Sequence, residues 1–228
     1  MKKIIIMAVA TFMATAANAQ FKKGTWSLQP FLGGGISTIT NASDLSLGNN
    51  KTLDKKTTAV SIIGGEAEYQ FAEKFSAAAG INYTSQGVAW DDYNDGNVKY
   101  KDINASLGYI KIPLVANFYF AKGWAVKAGV QFGFLVNSKI NLHAEGKTDL
   151  GDGVDRKTDV YTSVDIKDQF KKFDFSIPVG VSYQFKTPIT IDARYQIGLT
   201  KVNKNTAPGI NNSKNSVFTL TVGYKFAL

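Results

Sequence analysis

The sequence has no cysteine, a single histidine, and no apolar run long enough to cross a membrane as a helix. Without cysteine there is no disulfide framework, no thiolate metal site and no lipidated N-terminal cysteine. The one histidine, His143, narrows the catalytic possibilities, because histidine is the commonest general base. Its neighbours are Asn141, Leu142, Ala144 and Glu145, with neither an H-E-x-x-H pattern nor triad spacing. The chain therefore reads as a non-enzyme without a cofactor, and a lipid-modifying enzyme is the reading that would need His143. No stretch of the mature chain sustains a 3.6-residue apolar period, which excludes a helical core.

The longest apolar stretch is Ile4–Ala17, interrupted by Thr11 and Thr15. It falls well short of the ~20 residues of a spanning helix. Lys2 and Lys3 precede it and Ala17-Asn18-Ala19 follows it. A positive start, an apolar middle and an A-x-A site form a secretory signal peptide. Residues 1–19 are expected to be removed after Ala19, leaving 20–228 as one mature domain. The formal charge of +8 then loses the contribution of Lys2 and Lys3. The remaining basic residues are scattered, which reads as solvated loops and not as a nucleic-acid surface.

What the chain does have is period-two alternation, eight times over. The predicted strands are Thr25–Thr38, Thr58–Phe71, Phe75–Gln86, Ile103–Phe120, Trp124–Asn137, Phe173–Phe185, Ile189–Thr200 and Ser216–Phe226. Three connections are short: Ala72-Glu73-Lys74, Ala121-Lys122-Gly123 and Lys186-Thr187-Pro188. Four are long: Ile39–Thr57, Gly87–Asp102, Ser138–Lys172 and Lys201–Asn215. Their Asn, Asp, Gly, Lys and Ser content predicts turns and solvated chain. Short turns at one end and long loops at the other are the layout of an outer-membrane barrel. About 12 residues per strand at ~3.3 Å each, tilted by ~40°, span roughly 30 Å. The fold class is all-β, an eight-stranded antiparallel up-and-down transmembrane barrel, with its short turns and both termini in the periplasm.

Aromatic residues collect at the short-turn ends of these strands. Even strands end in Tyr69-x-Phe71, Phe118-x-Phe120, Tyr183-x-Phe185 and Tyr224-x-Phe226, and odd strands open with Trp26, Phe75 and Trp124. Amphipathic rings prefer the boundary between hydrocarbon and water, so these eleven residues are expected to form a periplasmic aromatic girdle.

The opposite face of each strand is polar. It carries Gln29, Glu66, Glu68, Asn82, Thr84, Gln86, Lys111, Asn117, Lys127, Gln131, Asp174, Ser176, Gln184, Asp192, Arg194, Gln196, Thr219, Thr221 and Lys225. Glu66, Glu68, Asp174 and Asp192 balance Lys111, Lys127, Arg194 and Lys225. Counted from the short turns, Glu68, Lys127 and Asp192 share one level, and Glu66 and Arg194 the next. Charges away from water are tolerated when paired and hydrogen-bonded, and an eight-stranded barrel is only wide enough for its own side chains. A structural network closing the lumen is expected, with no diffusion pore. A soluble lipocalin-like barrel is the alternative, but it would put its large apolar residues inside.

Two acidic turns invite a calcium reading. Asp91, Asp95, Gly96 and Asp102 partly match the offsets of an EF-hand loop, although Tyr93 and Lys99 break the match and no helices flank it. Asp149, Asp152 and Asp155 form the second. Both read as solvated loops, and no metal site is assigned. Gly33-Gly34-Gly35 lies inside a strand, where glycine permits curvature or close packing and does not cradle phosphate.

The stretch LGYIKIPLVANFYF, Leu107–Phe120, resembles the Y-x-x-I-P-L-L-x-K-Y-Y-F strand of the PorT-like outer-membrane β-barrel family. The closing SVFTLTVGYKF, Ser216–Phe226, is similar to that family's last strand. The resemblance implies a barrel in the outer membrane of Gram-negative bacteria, in contact with lipid and lipopolysaccharide. It also raises a transport or secretion accessory as an alternative role, and supplies no residues to carry one. Thr221, Gly223, Phe226 and Leu228 resemble the C-terminal signal read by the barrel-assembly machinery, with leucine where phenylalanine is usual. Function is expected in the loops, above all Ile39–Thr57 and Ser138–Lys172, which would bind an extracellular ligand from a rigid scaffold.

Overall fold

The computed structural model describes residues 22–40, 45–46, 52–94, 98–149, 155–165, 167–202, 204 and 213–228. The predicted signal peptide, residues 1–19, lies outside them. Eight long strands follow one another: β1 (Trp26–Thr40), β2 (Thr58–Ala72), β3 (Phe75–Trp90), β4 (Val98–Ala121), β5 (Trp124–Asp149), β6 (Phe173–Gln184), β7 (Ile189–Gly198) and β8 (Lys214–Tyr224). Each pairs antiparallel with the next, and β8 pairs back onto β1, from Phe31 opposite Gly223 to Thr40 opposite Lys214. The ring is closed, so it has no open edge whose backbone groups would go unpaired in lipid.

Register fixes the tilt. Stepping across the ring from Trp26, the partners are Tyr69, Ala77, Ala116, Ala128, Val179, Tyr195, Phe218 and then Ile36 on β1 again. The path returns ten residues above its start, from position 26 to position 36. Such a stagger inclines the strands by roughly 40° to the barrel axis. Glycine makes the seam possible: a Cβ on Gly33 or Gly35 would strike the β8 backbone at Leu220 or Phe218. Close packing is what this glycine run serves.

Burial follows the period of two. On β4, Lys111, Pro113, Val115, Asn117 and Tyr119 are buried, while Ile110, Ile112, Leu114, Ala116, Phe118 and Phe120 are exposed. The outer surface is apolar all the way round, including Leu32, Ile63, Ile81, Phe134, Ile191 and Leu220. A soluble lipocalin-like barrel would show the reverse.

The long connections contain more strand than their composition predicts. Ser138–Lys172, read as solvated chain, is largely a β-hairpin. Beyond Phe134, β5 parts from β6 and pairs with a strand at Asp155–Asp165, running from Lys139 opposite Asp165 to Asp149 opposite Asp155. Its other edge pairs with the start of β4, Val98 opposite Gly146 and Lys101 opposite His143. Ile140, Leu142 and Ala144 do alternate with Asn141, His143 and Glu145, but the surrounding Lys, Asp, Gly and Thr give the segment the composition of a loop. A 3-10 turn at Lys167–Gln169 leads into β6.

Candidate functional site

Two places bring chemically capable side chains together: the barrel interior and the hairpin above the long-loop end. All nineteen residues assigned to the polar face of the strands are buried inside. Asp192 and Arg194 are two apart on β7 and so share a face. Arg194 donates from Nη1 to Glu66 Oε1 at 2.6 Å and from Nη2 to Glu66 Oε2 at 3.3 Å. It also reaches Asp192 through Nε at 3.2 Å and Nη2 at 3.0 Å. Lys127 Nζ lies 2.6 Å from Asp192 Oδ2 and 3.9 Å from Glu66 Oε2. Two carboxylates and two cations thus form one neutral group.

Glu68 belongs to a separate cluster nearer the short turns. Counting along strands placed it level with Lys127 and Asp192, but its cation is Lys225, at 2.8 Å. The stagger of the strands shifts the levels enough to exchange partners. Tyr119 and Ser76 hydroxyls donate to Glu68 Oε1 at 2.6 and 2.7 Å, and Lys225 Nζ donates to the Tyr119 hydroxyl at 2.9 Å. Toward the long loops, Lys111 Nζ donates to the side-chain oxygens of Gln86 and Gln196, each at 2.6 Å, and Gln131 donates to Gln196 at 2.9 Å. Lys111 has no ion pair among the described residues. Asp174 accepts from the Thr200 hydroxyl at 2.9 Å.

The interior ends in an apolar layer. Ile39, Val88, Ala105, Leu107, Tyr109, Leu135 and Val202 form a buried cluster at the long-loop end, with Trp90, Ile140 and Phe170 packed against it. Tyr119 and the apolar layer were both missed by sequence reasoning. The signal for Tyr119 was available: period two puts it on the face of Lys111 and Asn117, at the unassigned middle position of Phe118-x-Phe120. Between Gln29, Asn82, Asp192, Arg194, Gln196 and Thr219 a cavity of about 10 Å³ remains, room for roughly one water.

At the short-turn end the eleven predicted girdle rings fall into four touching groups on the outer surface. Trp26 meets Tyr69 at 4.9 Å between centroids, Phe75 meets Phe71 and Phe118 at 6.4 and 5.0 Å, Trp124 meets Phe120 and Tyr183 at 6.4 and 4.8 Å, and Tyr183 meets Phe185 at 4.8 Å. Tyr224 and Phe226 complete the set at 6.1 Å.

The hairpin carries His143, Glu145, Asp159 and Tyr161 on one face. His143 stands opposite Tyr161, and Glu145 opposite Asp159. The imidazole stacks on the Tyr161 ring at 4.1 Å and 9°. Lys101 Nζ donates to Glu145 Oε1 at 2.6 Å. That hydrogen bond holds the Glu145 carboxyl below its ordinary range and the Lys101 amine above its own. Of the acidic turns, Asp95, Gly96 and Asp152 lie outside the described residues, as do the side chains of Asp149 and Asp155. Asp91 is ion-paired with Lys56, and Asp102 faces His143. Of the loop Ile39–Thr57, residues 41–44 and 47–51 are outside the description.

Residues 18–204 match the family model described as outer membrane protein beta-barrel domain. The chain belongs to this family. It is an outer-membrane protein, and its exposed apolar belt is the surface that lipid covers. No curated protein matches it. Among solved structures this family member is similar to the attachment invasion locus protein Ail of Yersinia pestis, in complex with the heparin analogue sucrose octasulfate: 13% identity, 90% of this chain, 99% of that chain, TM-score 0.43. It is also similar to OprG of Pseudomonas aeruginosa, with 15% identity, 92% and 100% coverage and TM-score 0.43. Neisserial surface protein A gives 17% identity, 90% and 98% coverage and TM-score 0.40.

Proposed function

We propose that this barrel is closed to solutes along its axis and acts through the long-loop end that it holds above the membrane. The observation that carries the reading is the stacked interior: Glu68 with Lys225 and Tyr119, then Glu66, Lys127, Asp192 and Arg194, then Lys111 among glutamines, then the apolar layer around Leu107 and Leu135. A hydrated ion passing along this axis would have to break buried, charge-assisted hydrogen bonds and then cross apolar side chains. The eight inner charges serve as filling and not as a path. Short turns and both ends of the strand set lie on the periplasmic side, and the girdle of Trp26, Tyr69, Phe75, Trp124 and their neighbours marks that membrane boundary.

The hairpin is then extracellular, and it is the binding element of the protein. Its partner is an extracellular ligand. Lipid and lipopolysaccharide cover the belt, and the barrel-assembly machinery reads the last strand through Tyr224 and Phe226. The role is not enzymatic: His143 stands between carboxylates, stacked on Tyr161. The strand Leu107–Phe120 supports placing the chain in the narrower PorT-like group, and the secretion-accessory role of that group is the rival function. Conductance across planar lipid bilayers separates the two. The closed barrel is expected to give no steady single-channel steps after insertion. Reproducible open levels in the wild-type protein would overturn the plugged lumen.

A further inference from the structure

Glu145 and Asp159 face each other directly across the extracellular hairpin, and like charges opposed in this way destabilise a strand pair. His143 lies on the same face, two residues from Glu145. Its Nε2 is buried and has no hydrogen-bond partner, yet it sits 3.9 Å from Glu145 Oε1 and 3.8 Å from Asp159 Oδ1. Among the described residues these three side chains are the cluster whose ligand atoms come within 4.8 Å of one another. The geometry points to a binding site for a divalent first-row transition cation, held by His143 Nε2, Glu145 and Asp159.

Three features support this assignment. The ligand set is one imidazole nitrogen and two carboxylate oxygens, which suits zinc or a neighbouring transition ion better than calcium or magnesium. Tetrahedral zinc with bonds of about 2.0–2.2 Å needs donor atoms roughly 3.3–3.5 Å apart; the two imidazole–carboxylate separations are within about half an ångström of that, and all three donor atoms already lie within 4.8 Å of one another. A carboxylate also stands behind the imidazole. Asp102 Oδ2 lies 3.9 Å from Nδ1, longer than a hydrogen bond, on the side where a metal-bound histidine donates to its second partner. Asp102 reaches that place through a bulge: β4 and β5 lose register between Lys101 and Asn104, and Asp102 has φ +53°, the one positive φ of a non-glycine residue among those described.

Lys101 is the competitor. Its amine already bonds Glu145 Oε1, so an entering cation must displace it. This gives the site a signature that a merely structural charge cluster lacks: removing the lysine should strengthen metal binding, whereas it would only weaken a structural cluster.

The site rests on the reading that the long-loop end is the binding end, and it names one ligand for it. The test is isothermal titration of the full mature barrel in detergent micelles with zinc chloride. One zinc per barrel is expected. His143→Gln and Asp159→Asn should each weaken binding by roughly ten-fold or more, and Lys101→Ala should tighten it several-fold. Heat-dependent gel mobility of each variant shows that the barrel itself has formed. Absence of zinc binding in the wild type, equal affinity in His143→Gln, or weaker binding in Lys101→Ala would each overturn the site. Any of these results would leave the closed lumen standing, because that is judged by conductance.

Discussion

Arg194→Ala is expected to lower the unfolding free energy of the barrel by about 3–5 kcal/mol, the cost of removing one partner from a buried ionic group. Arg194 makes four hydrogen bonds to Glu66 and Asp192. Without it those two carboxylates share Lys127 alone, and the group carries an uncompensated negative charge in the lumen. Arg194→Lys should recover only part of the loss, since a point charge cannot bridge both carboxylates as the planar guanidinium does. The interaction should also be non-additive: in a Glu66→Gln background the same Arg194→Ala change should cost clearly less, because one unpaired charge is already gone. Equilibrium urea unfolding in lipid vesicles, followed by tryptophan fluorescence, measures each value. A loss below about 1 kcal/mol for Arg194→Ala, within the range of an exposed ion pair, would show that the interior is hydrated.

Leu32→Arg carries the next largest effect. Leu32 lies on the outer face of β1, six positions above Trp26 in the girdle, and is 65% exposed. Its cross-strand neighbours are Ile63 and Val222, both also exposed. In water, a charge placed at so open a position would change stability by no more than about 0.5 kcal/mol. At the middle of a lipid belt it costs about 2–4 kcal/mol. The same vesicle unfolding measurement distinguishes these values. Lys23→Glu, at the exposed short-turn end, serves as the comparison and should stay near zero.

The parts of this fold that were legible in the sequence are the parts where one face meets lipid and the other does not. There the alternation is forced, and the barrel strands carry it from Trp26 to Tyr224. The inward set was legible for the same reason, because a polar residue at every second position of an otherwise apolar strand has only the lumen to occupy. Partner choice inside was not legible. Glu68 pairs with Lys225 and not with Lys127 because a stagger of ten residues around the ring decides which inward side chains meet, and stagger leaves no mark on a single strand.

The long-loop end was misread in two ways, both physical. The hairpin beyond Phe134 keeps an alternation, Ile140, Leu142 and Ala144 against Asn141, His143 and Glu145, but its Lys, Asp, Gly and Thr content imitates loop. The apolar layer of Val88, Leu107, Tyr109 and Leu135 continues the inward face of strands whose lower half is polar. A rule assigning polar residues to the lumen therefore fails at the level where Val202 and Phe170 fold over the barrel mouth. His143 was visible as a lone histidine. Of its carboxylate neighbours only Glu145 was, because Asp159 and Asp102 come from other strands.

The absence of cysteine makes the central claim directly measurable, since single cysteines can be placed without a background. Thr158→Cys on the hairpin, Thr219→Cys at 1% exposure in the lumen and Lys186→Cys in a short turn are treated with a membrane-impermeant maleimide, first on intact cells and then with the periplasm opened. A closed barrel with its long loops outside predicts that Thr158→Cys is labelled on intact cells, that Lys186→Cys is labelled only once the periplasm is open, and that Thr219→Cys is labelled in neither case. Labelling of Thr219→Cys from either side, or of Lys186→Cys on intact cells, would contradict it.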